Sequence, residues 1–516
     1  MTETDKTEFD AIIIGSGFGG SMTAYQLVKA GKSVLMLERG DWVTRGMHNW
    51  QPNGSVDLTP YYSKEIPYKI LTGGNSDVMG AYTCVGGGSV FYGAVSLRFR
   101  EEDFQPSPDI ITNSKAGWPI SYNEIEPFYT KAEQILNIAG DANGDPTEPY
   151  HSGDYPQPPG RLSDTSKMIK AAAEKLGYKP FSLPLAISYT DAENQKACQY
   201  CPTCDTFACA IGAKNDLATR VLPGLIEHGL TLKSNIIAVK LVHTNGKIDS
   251  VQCFDKKRNQ RVTYRAKTVI LSAGALASPH LLLASELDKL NPAGKTVGRY
   301  LMRHCNAIAF GFFPKKPNPQ NDFHKQLGFH DFYFGHESIE APDGKLGSMQ
   351  QLQTPPIGLV HTMVPRPFGH LLGLGVPHLT GLLVMAEDQP QYGNRVAVNF
   401  DNIDRFGLPQ LQVTHRYTKR DYAARDALIG KAKQILKNAG AIFSYVHKIK
   451  TFSHAVGTVR MGNEPGNSPL DCDCNFRGVD NLFVVDGSFM PTSGGLNPSL
   501  TIAANALRVG ESIAHI

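Results

Sequence analysis

At 516 residues, with 41% hydrophobic and 19% charged content, the chain is long enough for two or more domains, or for one large cofactor domain carrying insertions. Its formal net charge of +3, without a long Lys/Arg block, excludes a nucleic-acid or anionic-membrane binder. The polar, acidic stretch Met1–Asp10 lacks the basic and apolar regions of a signal peptide, and no apolar run approaches the roughly 20 residues of a membrane span. A cytoplasmic location is therefore expected, with periplasmic co-export on a partner subunit as the alternative.

Asp10-Ala-Ile-Ile-Ile-Gly15 is a short apolar, β-branched run and predicts a buried parallel strand. Gly15-Ser-Gly17-Phe18-Gly19-Gly20 then opens a helical stretch, and Lys32–Glu38 predicts a second strand ending in an acid. Strand, glycine-rich turn, helix and acid together are the dinucleotide-binding arrangement. Gly15 allows the tight turn, Gly17 the approach of a pyrophosphate and Gly20 close helix–strand packing, while Glu38 can accept from a ribose diol. The motif does not separate FAD from NAD.

Residues 141–162, rich in Gly, Pro, Asp and Tyr, read as a surface loop. Cys198, Cys201, Cys204 and Cys209 follow within one short segment. Four thiolates there suit an iron–sulfur cluster or tetrahedral zinc, and the alternatives are free thiols or a single disulfide such as Cys198–Cys201. The scattered Cys84, Cys253, Cys305, Cys472 and Cys474 read as packing residues. Lys267–Gly274 predicts another buried strand leading into a helix, Asn481–Asp486 a further strand, and Leu500–Ile516 a terminal helix. Parallel strands drawn from distant parts of the chain imply one discontinuous α/β domain.

These motifs, with Cys84-Val-Gly-Gly-Gly88-Ser-Val, Ser272–Pro279, His454-Ala-Val-Gly-Thr-Val-Arg-Met-Gly462 and Val484–Ser488 through Asn497-Pro498, occur in an order that resembles the glucose–methanol–choline (GMC) oxidoreductases over nearly the whole chain. The resemblance implies a Rossmann-type FAD-binding domain, discontinuous, with a mixed β-α-β sheet, plus an α+β substrate domain built on an antiparallel sheet. The expected partition is 1–110, 196–305 and 441–516 for the FAD-binding domain, and 111–195 and 306–440 for the substrate domain. The implied cofactor contacts are Gly15, Gly17, Phe18, Gly19, Gly20 and Glu38; Gly86, Gly87, Gly88, Ser89 and Tyr92; Val239 at the adenine; Ala273 and Gly274; and Asp486, Gly487, Asn497 and Pro498. Tyr92 stands where the family often has Asn, and no His is present in that stretch to link the flavin covalently, so non-covalent FAD is expected.

Oxidising an alcohol requires the carbinol hydrogen to leave as hydride to flavin N5 and the hydroxyl proton to pass to a base. A neutral imidazole, with an ordinary pKa of about 6.5, suits that base. The resemblance gives the role to His454 and the orienting role to Asn497. His304 is expected to be a structural hydrogen-bonder, and Arg460 and Met461 to hold the motif's backbone. The cysteine loop followed by Gly212-Ala-Lys214, together with Ser96–Phe104 and Gly117–Tyr129, looks like the sugar and sugar-acid dehydrogenase branch, some members of which bind an iron–sulfur cluster. The expectation is therefore an FAD-dependent oxidation of a sugar or polyol, with electrons passed to a non-oxygen acceptor such as a protein or quinone. The alternative is a sterol, long-chain or aromatic alcohol oxidase using dioxygen. A lyase-like use of the flavin is disfavoured by the His454 and Asn497 pair. Gln350, Gln351, Gln353, His361, His370 and His378 make residues 306–440 polar enough for a sugar, and Leu371–Val376 and Leu382–Met385 make them apolar enough for a lipid.

Overall fold

A computed structural model describes residues 8–71, 77–191, 195–336, 345–358 and 373–516, with backbone alone at 63–67 and 77–78. His361, His370, Leu371 and Leu372 lie outside the described residues. The strands Phe9–Ile14, Val34–Glu38, Thr231–Ser234, Ala266–Leu271 and Leu482–Val484 form one sheet, parallel throughout, in which Phe9–Ile14 is central. Ile12, Ile13, Leu35, Met36, Ile270, Leu271 and Val484 are fully buried there, as strands covered on both faces require.

The helix that follows the first strand packs against this sheet. Phe18–Lys29 packs on the terminal helix Ser499–Ala514, where Gln26 Nε2 donates to Leu507 O at 3.0 Å. Gly510 lets the two approach, since a Cβ there would lie 3.1 Å from Thr23 Cα. The strands Ile236–Thr244, Lys247–Asp255 and Gln260–Tyr264 form a separate antiparallel meander.

The second large sheet has six antiparallel strands in the order Phe443–Lys448, Cys305–Phe312, Leu379–Ala386, Gly347–Leu352, Leu327–Phe329, Phe181–Ser182. The helix Lys419–Asn438 covers it, burying Ala424, Leu428, Ala432 and Ile435 against Ala307, Ala309 and Val384. A smaller four-stranded sheet joins Arg395–Ile403 and Pro409–Thr414 to Tyr62–Ile70 and Asp77–Tyr82. Arg98 ties the stretch after Tyr92 to the helix Tyr122–Leu136. It reaches both Glu133 oxygens at 2.7 Å and Glu126 at 2.8 Å, so the buried cation is fully compensated. No helix among the described residues is long and apolar enough to cross a membrane.

Candidate active site

The glycine turn is built for a ligand. Gly15 has φ +102°, and a Cβ there would sit 2.3 Å from Ser272 O; a Cβ on Gly20 would sit 2.1 Å from Gly15 O. Both are glycine because the protein's own backbone leaves no room. A Cβ on Gly17 would meet nothing within 4 Å, and no side chain caps the helix that Gly17 begins. The first-turn amides of Phe18, Gly19 and Gly20 thus form a cradle fit for a diphosphate.

Glu38 organises this cradle. Its Oε2 accepts from Ser16 Oγ at 2.7 Å and Ser16 N at 3.2 Å, and its Oε1 from Gly40 N at 2.9 Å. Ser16 Oγ in turn accepts from Gly86 N at 3.0 Å, which seats Gly86, Gly87 and Gly88 beside Gly17. A Cβ on Gly87 would be 3.4 Å from Gly17 Cα. Ser89 is occupied internally: its hydroxyl donates to Gly86 O and accepts from Leu217 N. Ser16, which the motif leaves as an unspecified residue, is the hinge between the two glycine segments.

Asp486 is committed to the fold on both oxygens. It accepts from Gly274 N at 3.0 Å, Ser278 Oγ, Ser488 N at 2.9 Å and Ser488 Oγ at 2.5 Å. Burial pushes its carboxyl upward while these hydrogen bonds favour the anion. It fixes Ala273, Gly274 and Gly487 around one turn, and its carboxylate is spent on the protein's own donors. Val239 sits at a bulge that the pairing of Ala238 with Cys253 and Lys240 with Gln252 skips, and its side chain packs with Phe406 and Leu408. Tyr92 turns its hydroxyl to Asn215 O at 3.1 Å and packs its ring against Phe18, so it does not supply the side-chain amide common at this position.

His454 meets His304 through an antiparallel bridge. Met302 and Val456 exchange backbone hydrogen bonds at 3.0 and 2.9 Å, which sets His304 and His454 opposite each other two residues further on. Their Nδ1 atoms lie 3.1 Å apart with rings at 83°. His304 Nε2 lies 3.0 Å from Ser493 O. A carbonyl only accepts, so His304 carries its proton on Nε2 and presents a lone pair at Nδ1. His454 must then donate from its own Nδ1, which leaves Nε2 as an unprotonated acceptor. His304, expected to be merely structural, therefore sets the tautomer of His454. It adopts a left-handed φ of +62°, a strained conformation for a side-chain-bearing residue held by this pairing.

Burial holds the His454 imidazole down at about 3, with His304 and the Lys325 cation as further causes; burial lowers His304 as well. Asn497 is reached from the antiparallel sheet, where Gln350 Nε2 donates to Asn497 Oδ1 at 2.6 Å and so leaves the Asn497 amide hydrogens for another acceptor. Strand alternation sorts the other glutamines. Ser348, on the same face as Gln350, donates to Gly495 O at 2.6 Å, while Gln351 turns away and accepts from Ser166. Gln353 accepts from His324 N and His378 bonds Phe313 O, so neither belongs to the site. Pro498 begins the terminal helix directly after Asn497. Arg460, fully buried, donates to Ser114 O at 2.7 Å and lies over the Tyr300 ring, which pins its segment.

The cysteine loop does not form a ligand set. All nine cysteines are free, and no group of three or more His, Cys, Asp or Glu among the described residues is placed to hold a metal ion. Burial pushes the Cys198 thiol up to about 12 and raises Cys204 further, so both are protonated thiols at neutral pH in the metal-free loop. The expectation of an iron–sulfur or zinc site at Cys198, Cys201, Cys204 and Cys209 thus finds no support in the arrangement of the described residues. A lysine organises the loop instead: the fully buried Lys214 donates to Tyr92 O at 2.9 Å, Cys204 O at 2.9 Å and Phe207 O at 2.7 Å. Cys472 is exposed and is not a packing residue.

Comparison with known proteins agrees with this architecture. Residues 9–306 and 390–506 match the N- and C-terminal models of the GMC oxidoreductases. The chain is 30% identical over 528 residues to 6'''-hydroxyparomomycin C oxidase of Streptomyces lividus, covering 98% of this chain and 91% of that protein. It is 27% identical over 551 residues to 2-methyl-1,2-propanediol dehydrogenase of Mycolicibacterium austroafricanum, covering 100% and 96%. Pyridoxine 4-oxidase from Mesorbium loti superposes with a TM-score of 0.70 at 18% identity, covering 98% of this chain and 99% of that one. The chain belongs to the GMC oxidoreductase family, FAD-dependent enzymes acting on CH–OH donors.

Proposed function

We propose that this enzyme oxidises a CH–OH group of a polyhydroxy alcohol of the sugar or polyol class, with His454 Nε2 as the proton acceptor and Asn497 as the hydroxyl-orienting donor. The observation that carries this reading is the chain Ser493 O, His304, His454, which leaves the Nε2 lone pair of His454 uncommitted. FAD, when bound by the glycine cradle, supplies the two-electron acceptor. Everything else falls to side chains of this chain. His454 is held neutral, so it is ready to take the hydroxyl proton. As it does so, its Nδ1–H stays bonded to His304, and the new cation keeps a hydrogen-bond partner. Gln350 fixes the Asn497 amide so that its N–H faces the substrate oxygen. The test is His454→Ala: the variant should keep the bound-flavin spectrum and lose turnover with alcohols, and near-normal turnover would sink the assignment.

Named relatives support the substrate class, since one is an oxidase of an aminoglycoside and another a dehydrogenase of a vicinal diol. The acceptor is a separate matter. A non-oxygen acceptor was expected from the cysteine loop as an electron outlet, and the arrangement of the described residues adds no support to it. Relatives named as oxidases favour dioxygen as a second reading. Stoichiometric peroxide during turnover in air would establish it, and turnover only with an artificial acceptor would remove it.

A further inference from the structure

Two contacts fix the His304 ring, at Ser493 O and at His454 Nδ1, but its left-handed backbone, with φ +62°, also has to be held. Strand register supplies one brace. Cys305 pairs with Ala386, so Asp388, two residues past the end of strand Leu379–Ala386, stands opposite Arg303. There a carboxylate takes the place of a backbone acceptor: Asp388 Oδ2 accepts from Arg303 N at 2.9 Å, one peptide away from His304. The same oxygen accepts from His415 Nε2 at 2.6 Å. The backbone of Asp388 is engaged as well, its N–H donating to Ser493 Oγ at 3.1 Å. One aspartate thus orders both the residue before His304 and the residue whose carbonyl accepts from the His304 ring.

A further brace comes from the segment that carries His415. Tyr417, two residues on, donates its hydroxyl to His304 O at 2.6 Å, and the His415 and Tyr417 rings meet edge to face at 4.7 Å. Both members of the His415–Asp388 pair are fully buried. Side chains that only filled space would not need donors and acceptors aimed at the N–H of one residue and the C=O of the next. Bonds placed there restrain φ and ψ, which is what a strained turn requires. We infer that Asp388, His415 and Tyr417 are positioning residues for the oxidation, holding His304 in the backbone conformation from which its Nδ1 accepts from His454, and so keeping His454 Nε2 free of a proton. This deepens the proposed function and rests on His454 as the proton acceptor. It extends the machinery onto the stretch that follows strand Pro409–Thr414, outside the motif that contains His454.

The test reads the His454 ring directly, by NMR of the ring nitrogens in FAD-loaded enzyme labelled in histidine, with the His454 signals identified by their loss in His454→Ala. Wild type should show a proton on Nδ1 and none on Nε2. Tyr417→Phe and His415→Leu should each move part or all of that proton to Nε2 at unchanged flavin content. Both should lower kcat for 1,2-propanediol, measured with an artificial electron acceptor, at little change in KM. The expected losses are about threefold to tenfold for the neutral hydrogen bond and about 10- to 100-fold for the one to the carboxylate. His415→Gln, which keeps an N–H toward Asp388, should recover most of the loss. In the His304→Phe background neither change should lower kcat further, because both act through His304. A wild-type tautomer in both variants, or losses that add to that of His304→Phe, would overturn the inference and mark the residues as packing. A proton that moves while turnover holds would uphold the positioning and sink His454 as the base. If wild type does not oxidise the diol, the tautomer decides alone: a shift in the two variants upholds the inference and its absence overturns it.

Discussion

The cysteine loop and the His454 site place their polar groups in opposite ways. Cys198, Cys201, Cys204 and Cys209 are crowded in sequence, yet among the described residues they do not converge on a metal position. His304, Gln350, His454 and Asn497 are scattered along the chain, yet they are linked in pairs at 3.1 and 2.6 Å. Density in sequence is a weak guide to a site, because closeness along the chain does not by itself create ligand geometry. Convergence needs strands and bridges that bring distant segments into register, as Met302 and Val456 do. The largest test of this contrast is His454→Ala, for which a loss of roughly 10²–10⁴-fold in kcat is expected at unchanged flavin content. On the other side, Cys201→Ser and Cys209→Ser should leave activity and flavin content near wild type, with no iron found in either protein.

If the loop is held by a lysine, removing the lysine should be far worse than removing the cysteines. Lys214→Met leaves three carbonyls without their shared donor, at about 1–3 kcal/mol for each that stays buried and unsatisfied. A destabilisation of about 3 kcal/mol or more by chemical denaturation is expected, accompanied by weakened flavin retention, because Tyr92 O is one of the three. A stability loss under about 1 kcal/mol would mean that water replaces the ammonium and that the loop is not organised as described.

Much of this was legible in the residues, and the exceptions have physical causes. The parallel sheet and the glycine turn are local patterns: a strand, a turn and an apolar period announce themselves within a dozen residues, whereas His454 stood out only through the family motif that its segment resembles. His304 was visible only as a histidine before a strand. Its role depends on an antiparallel bridge between segments about 150 residues apart, which no local pattern encodes. Gln350 and Gln351 are adjacent and chemically identical, and only the alternation of strand Gly347–Leu352 decides that the first faces Asn497. The cysteine loop shows the converse. Its composition suggests metal chemistry, while the decisive residue, Lys214, looks like an ordinary charge until it is found buried.

The pairing of His304 with His454 can be sharpened by conservative replacement. His304→Phe removes the acceptor for His454 Nδ1–H, so the proton can move to Nε2 and block the base; a loss of about 10- to 100-fold in kcat is expected. His304→Gln keeps an amide N–H for Ser493 O and a carbonyl for His454, and should recover most of that loss. Equal damage from Phe and Gln would mean that His304 only fills space. Gln350→Leu should be milder, about tenfold in kcat/KM, since it frees the Asn497 amide to rotate without touching the base.

The smallest effect concerns pH, where the expected result is a flat rate profile. With His454 held near 3, it stays unprotonated across pH 5–8, so kcat/KM should show no acid limb near the ordinary histidine value of about 6.5. A limb at 6–7 that disappears in His304→Phe would show instead that the pair titrates there. His280, His324 and His454 have folded values of about 4, 4 and 3, below their unfolded ones, so between about pH 6.5 and 4 the unfolded chain binds more protons. Stability from these groups is then complete above about pH 6.5 and declines as pH falls. Asp421, raised to about 7 by burial beside Asp388, opposes this, because it holds a proton in the folded chain that the unfolded chain lacks. Burial raises the Glu133, Asp216 and Asp486 carboxyls too, so buried carboxyls offset the histidines on acidification, and the expected result is a rate per folded molecule that holds constant from pH 7 to pH 5.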